Sequence, residues 1–216
     1  MMGIERKKLT MTEKDRLNTA IHEAGHATVC YYTVGAKKLY KATIVARGGS
    51  LGATFMEPDE SNLSTTKIKC LADIDTAMGG HVAEKLFIGE KKITTGCSND
   101  LQGATNIAYA AVMRYGMFGE DVGYISADNK ELSDEMLSKI DETVRKILSE
   151  SEERVEKLLM EKGVQVRELS KNLYWYDYLD AKEMEQIFEG KKIEKERVRE
   201  WNPEEEGGNE HGLVKF

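Results

Sequence analysis

Two histidines and a glutamate lie close together in the segment His22-Glu23-Ala24-Gly25-His26. Side chains four positions apart on an α-helix lie on the same face, one turn apart, so both imidazoles can bind one metal ion. A zinc hydrolase needs such nitrogen ligands and also a carboxylate that takes a proton from water, and Glu23 is placed for that task. The pattern therefore predicts a zinc hydrolase. The alternatives are a chance match or a pair of packed core histidines.

A zinc site of this kind needs a third protein ligand, and the residues leave its identity open. An extension of the motif to HExxHxxGxxH is excluded, because Val29 and Tyr32 occupy the glycine and last histidine positions. The remaining candidates are His81, Glu84, Cys97 and Asp100. Glu84 ends a stripe of small residues that would bury it, and a buried carboxylate needs a partner. Asp100 falls in the first turn of a predicted helix, where the helix dipole favours a carboxylate without any metal. The residues alone favour Asp100 over Glu84 only slightly.

Helices dominate the elements that must position these residues. Apolar residues recur at helical spacing around the HEAGH segment and predict a helix over residues 13–33. Between Lys38 and Glu57 the pattern changes to period two, and Gly48-Gly49 divides it into the two strands of a hairpin. Further helices are predicted over 64–89, 98–116, 133–162, 166–173 and 180–190. The fold class is therefore mainly α, with one small β-hairpin or sheet packed on the metal-binding helix.

Details of the later helices are also predicted. Ser98 or Asn99 is expected to cap the third helix. Leu101, Tyr115 and Leu137 are expected on buried faces, because they fall in line with other apolar residues at helical spacing. The chain divides into a lead-in at 1–11, a domain at 12–190 and a charged, disordered tail at 191–216.

The composition argues against several classes of protein. A formal net charge of −7 argues against nucleic-acid binding. The three cysteines are odd in number and form no CxxC pair, so no disulfide framework is expected. The longest uncharged run, Leu101–Met113, is too short to span a bilayer, and no Walker-type GxxxxGK[ST] motif occurs. The chain alone is expected to be soluble and to bind no ATP.

Several sequence blocks, in a fixed order, carry a resemblance to a known family. They are MGIERK (2–7), HEAGHA (22–27), YKATIVARGGSLG (40–52), MGGHVAEKLFIG (78–89), ITTGCSNDLQGAT (93–105), YGMFGEDVGY (115–124) and LDAKEMEQIFEGKK (179–192). In these blocks the chain resembles the peptidase domain of the FtsH-type membrane AAA zinc metalloproteases. Among them it looks most like the mitochondrial i-AAA branch. The blocks are independent of one another, so the resemblance is far more specific than HExxH alone.

The resemblance implies roles for named residues. His22, His26 and Asp100 would bind one Zn²⁺ per protomer, Glu23 would be the catalytic base, and Glu84 would lie close to the site without binding the ion. The chain also departs from the family pattern at two positions. His81 stands where an arginine is usual, and Cys97 stands where an alanine is usual. Neither change removes an implied zinc ligand.

The implied function is that of a zinc-dependent endopeptidase domain in an ATP-dependent, membrane-anchored protease that degrades unfolded or membrane-associated proteins. ATP would act only through an ATPase domain absent from this chain, to which residues 1–11 would lead, and the peptidase domains would form a homo-hexamer. The location would be the mitochondrial inner membrane for an i-AAA-like protein, or otherwise the cytoplasmic face of a bacterial membrane. The alternative is a stand-alone peptidase-like protein or a catalytically impaired, ring-forming scaffold.

The second hairpin strand is the candidate site for the substrate. It comprises Leu51, Gly52, Ala53, Thr54 and Phe55. An exposed strand edge can pair with an extended peptide through backbone hydrogen bonds, which would explain low sequence selectivity. The alternative is a strand that only packs on the metal-binding helix.

Overall fold

The computed structural model describes residues 11–46, 50–58, 64–126 and 132–199. In these ranges the α-helices are α1 (Glu13–Tyr32), α2 (Lys67–Glu84), α3 (Ser98–Tyr109), α4 (Gly119–Val122), α5 (Asp134–Glu161), α6 (Gly163–Tyr176) and α7 (Ala181–Phe188). The strands are β1 (Leu39–Thr43), β2 (Ala53–Met56) and β3 (Tyr178–Asp180). The mainly α prediction is confirmed. The predicted turn at Gly48-Gly49 lies outside the described residues, as do most of the lead-in and the end of the tail.

Helix α1 begins where its sequence satisfies the free backbone groups of the first turn. The Thr12 side chain accepts a hydrogen bond from the Asp15 backbone N–H, and the Asp15 side chain accepts one from the Thr12 backbone N–H. This reciprocal pair is a capping box. Beyond Tyr32 the chain turns away at Gly35, whose φ of +89° suits a residue without a Cβ. The helix therefore covers almost the whole predicted range, with the HEAGH segment near its middle.

Helices α1 and α2 cross with almost no side chain between them. A Cβ atom on Gly25 would lie 2.4 Å from the Gly79 carbonyl oxygen, and one on Gly79 would lie 2.9 Å from the Gly25 oxygen. Such distances exclude any larger residue unless the helices move apart. The crossing brings the middle of α2 directly against the histidine face of α1.

The sheet has one more strand than expected. Its order is β2-β1-β3, with both pairs antiparallel, and the Ile44 N–H donates to the Asp177 carbonyl at the β3 end. Strand β3 is only three residues long, too short for a period-two pattern to reveal it. The predicted strand Leu51–Phe55 is shifted, because Leu51 and Gly52 precede β2. Strand β2 is nevertheless an edge strand of the described sheet, as its proposed role requires.

Helix α3 differs from the prediction at its start and on its exposed side. A 3-10 turn over Thr95–Cys97 leads straight into the helix, so neither Ser98 nor Asn99 caps it; the Thr94 hydroxyl accepts from the Gly96 N–H instead. Leu101 and Tyr115 are 37% and 49% exposed, so their predicted burial is wrong. The buried residues of α3 are Ala104 and Ala108, and the helix packs on α2. It ends at Tyr109, so Tyr115 lies beyond it and not within the helix predicted over 98–116.

The long helix α5 supports α2 from behind. Its Ser151 and Arg154 side chains both donate to the carboxylate of Asp75 on α2, over 2.6 to 3.0 Å. Asp75 is buried, so this polar cluster satisfies a charge that would otherwise be costly to bury. Leu137, near the start of α5, is 44% exposed, because the first turns of the helix extend past the core. Its predicted burial is wrong.

Residues 191–199, which the sequence assigns to the charged tail, form no helix or strand but do contact the domain. Arg199 pairs with Asp177, Lys195 with Glu183, and the Arg197 guanidinium lies over the Trp175 ring. The division into lead-in, domain and tail remains a prediction. Among the described residues, no helix is long and apolar enough to cross a membrane.

Candidate metal centre

Three potential metal ligands converge where α1, α2 and the start of α3 meet. The Nε2 atoms of His22 and His26 lie 3.1 Å apart. The Asp100 Oδ2 atom lies 3.2 Å from the first and 3.4 Å from the second. The two histidines are mostly buried, whereas the Asp100 side chain is 27% exposed. The structure therefore brings together the three residues that the family resemblance implies as ligands.

The other ring nitrogen of each histidine is held by α2. The Nδ1 atom of His22 lies 2.8 Å from the Glu84 carboxylate, and that of His26 lies 2.7 Å from the Thr76 backbone carbonyl. Both partners can only accept, so each Nδ1 carries a proton and donates it. Each Nε2 then directs its lone pair toward Asp100. This is the arrangement by which metal-binding histidines are usually oriented.

The three donor atoms fit a tetrahedral zinc ion. Ligands at ~2.0–2.1 Å from zinc in a tetrahedron lie about 3.3 Å from one another, which matches the three observed separations. Gly80 adds a second indication. A Cβ atom there would lie 2.5 Å from the His26 Nε2 and 2.6 Å from the His22 Nε2. Only a residue without a side chain fits beside the two nitrogens, so α2 leaves them accessible.

The electrostatics of the cluster favour a cation. Burial lowers the pKa of His22, but hydrogen bonds with Asp100, Cys97 and Glu84 outweigh it and raise that pKa to about 12. Burial likewise opposes ionisation of Asp100, yet its bonds with His22 and His26 hold the pKa of that carboxyl well below its usual range. The carboxylates therefore stabilise positive charge at the His22 imidazole. A proton or a metal ion can supply that charge.

Glu23 lies beside this cluster with its carboxylate oriented by the sheet. It is 5% exposed, and its Oε2 atom accepts a 2.7 Å hydrogen bond from the Thr54 hydroxyl of β2. The other oxygen, Oε1, lies close to Gly52, where a Cβ atom would approach it to 2.8 Å. Burial raises the pKa of Glu23, although His26 and His22 partly oppose the shift. A carboxylate with a raised pKa is suited to taking up and releasing a proton.

Glu84 is almost fully buried and saturated with hydrogen bonds. Besides His22, it accepts from the Thr94 backbone N–H at 2.7 Å and from the Thr94 hydroxyl at 3.2 Å. The Cys97 thiol donates to the same carboxylate at 3.3 Å. Burial opposes ionisation, but the hydrogen bonds from His22 and Thr94 hold the pKa of Glu84 below its usual value. Glu84 thus fixes the His22 ring and ties the segment before α3 to the end of α2.

An open cleft of about 1020 Å³ gives access to the cluster. Its lining includes His22, Glu23, His26, Glu84 and Asp100. Of the five candidate substrate-binding residues, Leu51, Gly52 and Thr54 line this cleft. Ala53 and Phe55 do not, because alternate side chains of a strand point to opposite faces. The cleft therefore places strand β2 along one side of the three donor atoms.

The other two candidate ligands, His81 and Cys97, do not belong to the group formed by His22, His26 and Asp100. His81 lies on α2 but does not line the cleft. Among the described residues, it belongs to no group of three potential metal ligands. Cys97 approaches His22 only on the Nδ1 side, at 3.9 Å. Sequence reasoning missed Thr76 and Thr94, and it named Thr54 as a candidate substrate-binding residue but not as the partner of Glu23. Thr76 acts through its backbone carbonyl, for which no residue type is a signal.

Comparisons with known proteins identify the family of the chain. The model of the family described as "Peptidase family M41" matches residues 9–187. The chain is 44% identical over 197 residues to the mitochondrial inner membrane i-AAA protease supercomplex subunit YME1 of Saccharomyces cerevisiae, covering 90% of this chain and 26% of that protein. It is 40% identical over 195 residues to the human ATP-dependent zinc metalloprotease YME1L1, covering 90% and 25%.

A bacterial relative matches over a similar share of this chain. The ATP-dependent zinc metalloprotease FtsH of Myxococcus xanthus is 37% identical over 209 residues, covering 91% of this chain and 32% of that protein. The chain therefore spans about a quarter to a third of the length of the curated relatives that it matches. The predicted resemblance is confirmed, and the chain is a peptidase domain that belongs to Peptidase family M41.

Proposed function

We propose that this chain is the zinc-dependent endopeptidase domain of an ATP-dependent, membrane-anchored protease. The observation that carries the proposal is the convergence of the His22, His26 and Asp100 donor atoms within 3.4 Å of one another. Beside them lies a buried carboxylate, Glu23, at the wall of an open cleft. The names of the human and Myxococcus xanthus relatives support zinc as the metal and ATP dependence as a property of the longer protein.

His22, His26 and Asp100 would hold the zinc ion, one per protomer. When bound, zinc supplies a Lewis acid that lowers the pKa of a water molecule and polarises the scissile carbonyl group. Glu84 and the Thr76 carbonyl keep the two imidazoles in the tautomer that presents Nε2. The chain thus supplies three zinc ligands, and Glu84 and Thr76, which do not bind the zinc ion, orient the two histidines.

Glu23 would act as the general base and then as the general acid. It takes a proton from the attacking water and later gives that proton to the amine of the leaving product. Thr54 holds the Oε2 atom, which leaves Oε1 to exchange the proton. Because burial raises the pKa of this carboxyl, it takes up the proton of water more readily than an exposed glutamate would. Intact donors together with Glu23 also argue against an impaired scaffold.

Strand β2 would hold the substrate in an extended conformation. The Glu57 N–H donates to the Lys38 carbonyl on the β1 side, at 2.8 Å. Since N–H groups alternate along a strand, those of Thr54 and Met56 face the open side. An added peptide strand would pair with these groups, and this supports an endopeptidase that selects extended backbone more than particular side chains.

The wider assembly is proposed from the relatives. Unfolded or membrane-associated polypeptides are the expected substrates, a homo-hexamer is the expected assembly, and the ATPase domain would be joined in the same polypeptide. The i-AAA relatives favour the mitochondrial inner membrane as the location. The bacterial FtsH relative makes the cytoplasmic face of a bacterial membrane the alternative.

Metal content and casein cleavage, measured on the same preparations, test the proposal. The purified chain should hold one zinc ion, and His22→Ala or His26→Ala should lose it, because each removes one of three ligands. Glu23→Gln should retain zinc and the fold but lose proteolysis, since an amide cannot accept the proton. His81→Ala is the matched control and should retain both. Loss of zinc from His81→Ala with retention in Asp100→Ala, or Glu23→Gln activity within tenfold of wild type, would contradict the proposal.

A further inference from the structure

The His22 ring lies between two groups of potential ligands. Its Nε2 atom faces the proposed zinc ligands, whereas its Nδ1 atom faces Glu84 and Cys97. On the second side the Nδ1 atom lies 2.8 Å from Glu84 Oε1, and the Cys97 Sγ atom lies 3.3 Å from that oxygen and 3.9 Å from Nδ1. A nitrogen, an oxygen and a sulfur donor therefore converge at a second position that shares one imidazole with the first.

We propose that Glu84, Cys97 and the Nδ1 atom of His22 form a second metal site, specific for thiophilic divalent cations, that competes with the proposed zinc site. Thiolate sulfur binds soft cations most strongly, and this sulfur lies against a carboxylate and an imidazole. Cys97 and Glu84 are each 2% exposed, so an ion bound there would be shielded from water. Glu84 and residues 94–96, which directly precede the cysteine, line the open cleft and give an ion its approach.

Charge and proton balance support the second site. Binding removes the thiol proton of Cys97 to solvent, and the Nδ1 proton of His22 moves to Nε2. The divalent ion is then neutralised by the Glu84 carboxylate and the Cys97 thiolate, which a buried site requires. The new Nε2–H can donate to Asp100, 3.2 Å away. The exchange therefore balances the charge of the bound ion and gives the new N–H an acceptor.

Competition follows from the shared ring. A neutral imidazole has one lone pair, so His22 can offer Nδ1 to the second site or Nε2 to the first, but not both. An ion at Cys97 also breaks the bond by which Glu84 orients the ring. The second site deepens the proposed function, because it names a class of inhibitor for the same centre, and it rests on that function only through His22.

Cadmium added to the purified, zinc-loaded chain tests the inference. We expect one cadmium ion to bind, one zinc ion to be released, and a thiolate-to-cadmium charge-transfer absorption to appear in the ultraviolet. Cys97→Ala and Cys97→Ser should both retain zinc, which shows that they fold, but lack the absorption. Loss of a residue that only orients a ligand lowers metal affinity by roughly 10–100-fold. The cadmium affinity of both variants should fall by more than this, because Cys97 is proposed as a ligand. Cys70→Ala, which removes another buried free thiol, is the matched control and should behave as wild type.

A second variant separates this inference from the proposed function. His26→Ala should lose zinc yet still give the cadmium absorption, because His26 belongs only to the first site. Absorption that persists in Cys97→Ala would overturn the second site, as would its loss in His26→Ala. Cadmium and zinc bound together, one of each per chain, would overturn the competition. Peptidase activity and zinc content before cadmium is added report on the proposed function alone.

Discussion

At the scale of single residues, the site separates ligands from the groups that orient them. Glu84 and Asp100 are both carboxylates within 3.2 Å of His22, yet they contact opposite nitrogens of the ring. Only the oxygen of Asp100 lies near the Nε2 atoms of both histidines. Geometry thus gives the two acids different tasks, although their chemistry is the same.

Substitution of each acid by its amide should distinguish these tasks. Asp100→Asn removes an anionic ligand and should weaken zinc binding outright. Glu84→Gln retains an oxygen that can accept from His22, so the chain should keep most of its zinc and lose activity or stability, with zinc affinity falling by roughly 10–100-fold at most. A chelator competition assay measures both affinities. The reverse order would make Glu84 the ligand and leave Asp100 as a residue of the helix start.

The sequence alone predicts part of this site, for clear physical reasons. His22, Glu23 and His26 are recognisable because a helix fixes their spacing locally. Asp100 comes from a different helix, and its position depends on how α3 packs on α2, which residue spacing does not encode. Family resemblance, not spacing, distinguishes it from Glu84. The Thr76 carbonyl could not have been found, since every residue has one.

At the scale of elements, the crossing of α1 and α2 sets the distance between the histidines and the groups that orient them. Gly25 and Gly79 bring the two backbones into direct contact. The lengths of α1 and α5 were predictable because caps and apolar periodicity are local, whereas α2 and α3 end earlier than predicted and α4 was not predicted. The contact itself was not, because a helical glycine in a sequence does not reveal which helix it faces.

Gly25→Ala should therefore be destabilising and should also weaken zinc binding. The added methyl group would meet a backbone oxygen at 2.4 Å, so the helices must separate, and overpacking of this kind costs about 1–3 kcal/mol. Gly103→Ala on α3 is the matched control. A Cβ atom there meets nothing within 4 Å, and alanine favours a helix by up to about 1 kcal/mol. Urea unfolding should show opposite signs for the two changes, and equal effects would argue against the backbone contact.

The edge strand β2 gives a prediction that needs no change to the protein. A series of peptide substrates, each with one N-methylated backbone nitrogen at a different position, should show a KM that is raised at alternate positions. Methylation removes the donor at positions that pair with β2 and should raise KM by roughly 2–10-fold, since a hydrogen bond contributes about 0.5–1.5 kcal/mol. The intervening positions should tolerate it. A uniform response would show that β2 packs on α1 without binding substrate.

At the scale of the whole molecule, the chain has an open cleft beside the proposed metal centre, and its sequence contains no Walker-type GxxxxGK[ST] motif. A folded protein offers few extended segments, and unfolding it costs about 5–15 kcal/mol. In the proposed longer protease that work belongs to the ATPase domain. The isolated chain should then cleave only substrates that are already unfolded.

A comparison of two substrates tests this division of labour. The chain should cleave short peptides and casein slowly without ATP, and it should leave a stable folded protein intact. Activity per protomer should rise with protein concentration if a hexamer completes the cleft. The same folded protein, chemically unfolded and kept soluble, serves as the control and should be cleaved. Digestion of the native form at the rate seen with casein would contradict the proposal.

Helix α2 supplies none of the proposed zinc ligands, yet it holds the Nδ1 atoms of both histidines and, through Gly80, leaves room beside their Nε2 atoms. Its own position depends on the Asp75 cluster with α5. Substitutions in α2 that disturb these contacts should therefore lower activity, although the helix carries neither a proposed zinc ligand nor the proposed base. The distance of such a residue from the HEAGH motif along the sequence would not reveal this effect, because the contact is made only in the fold.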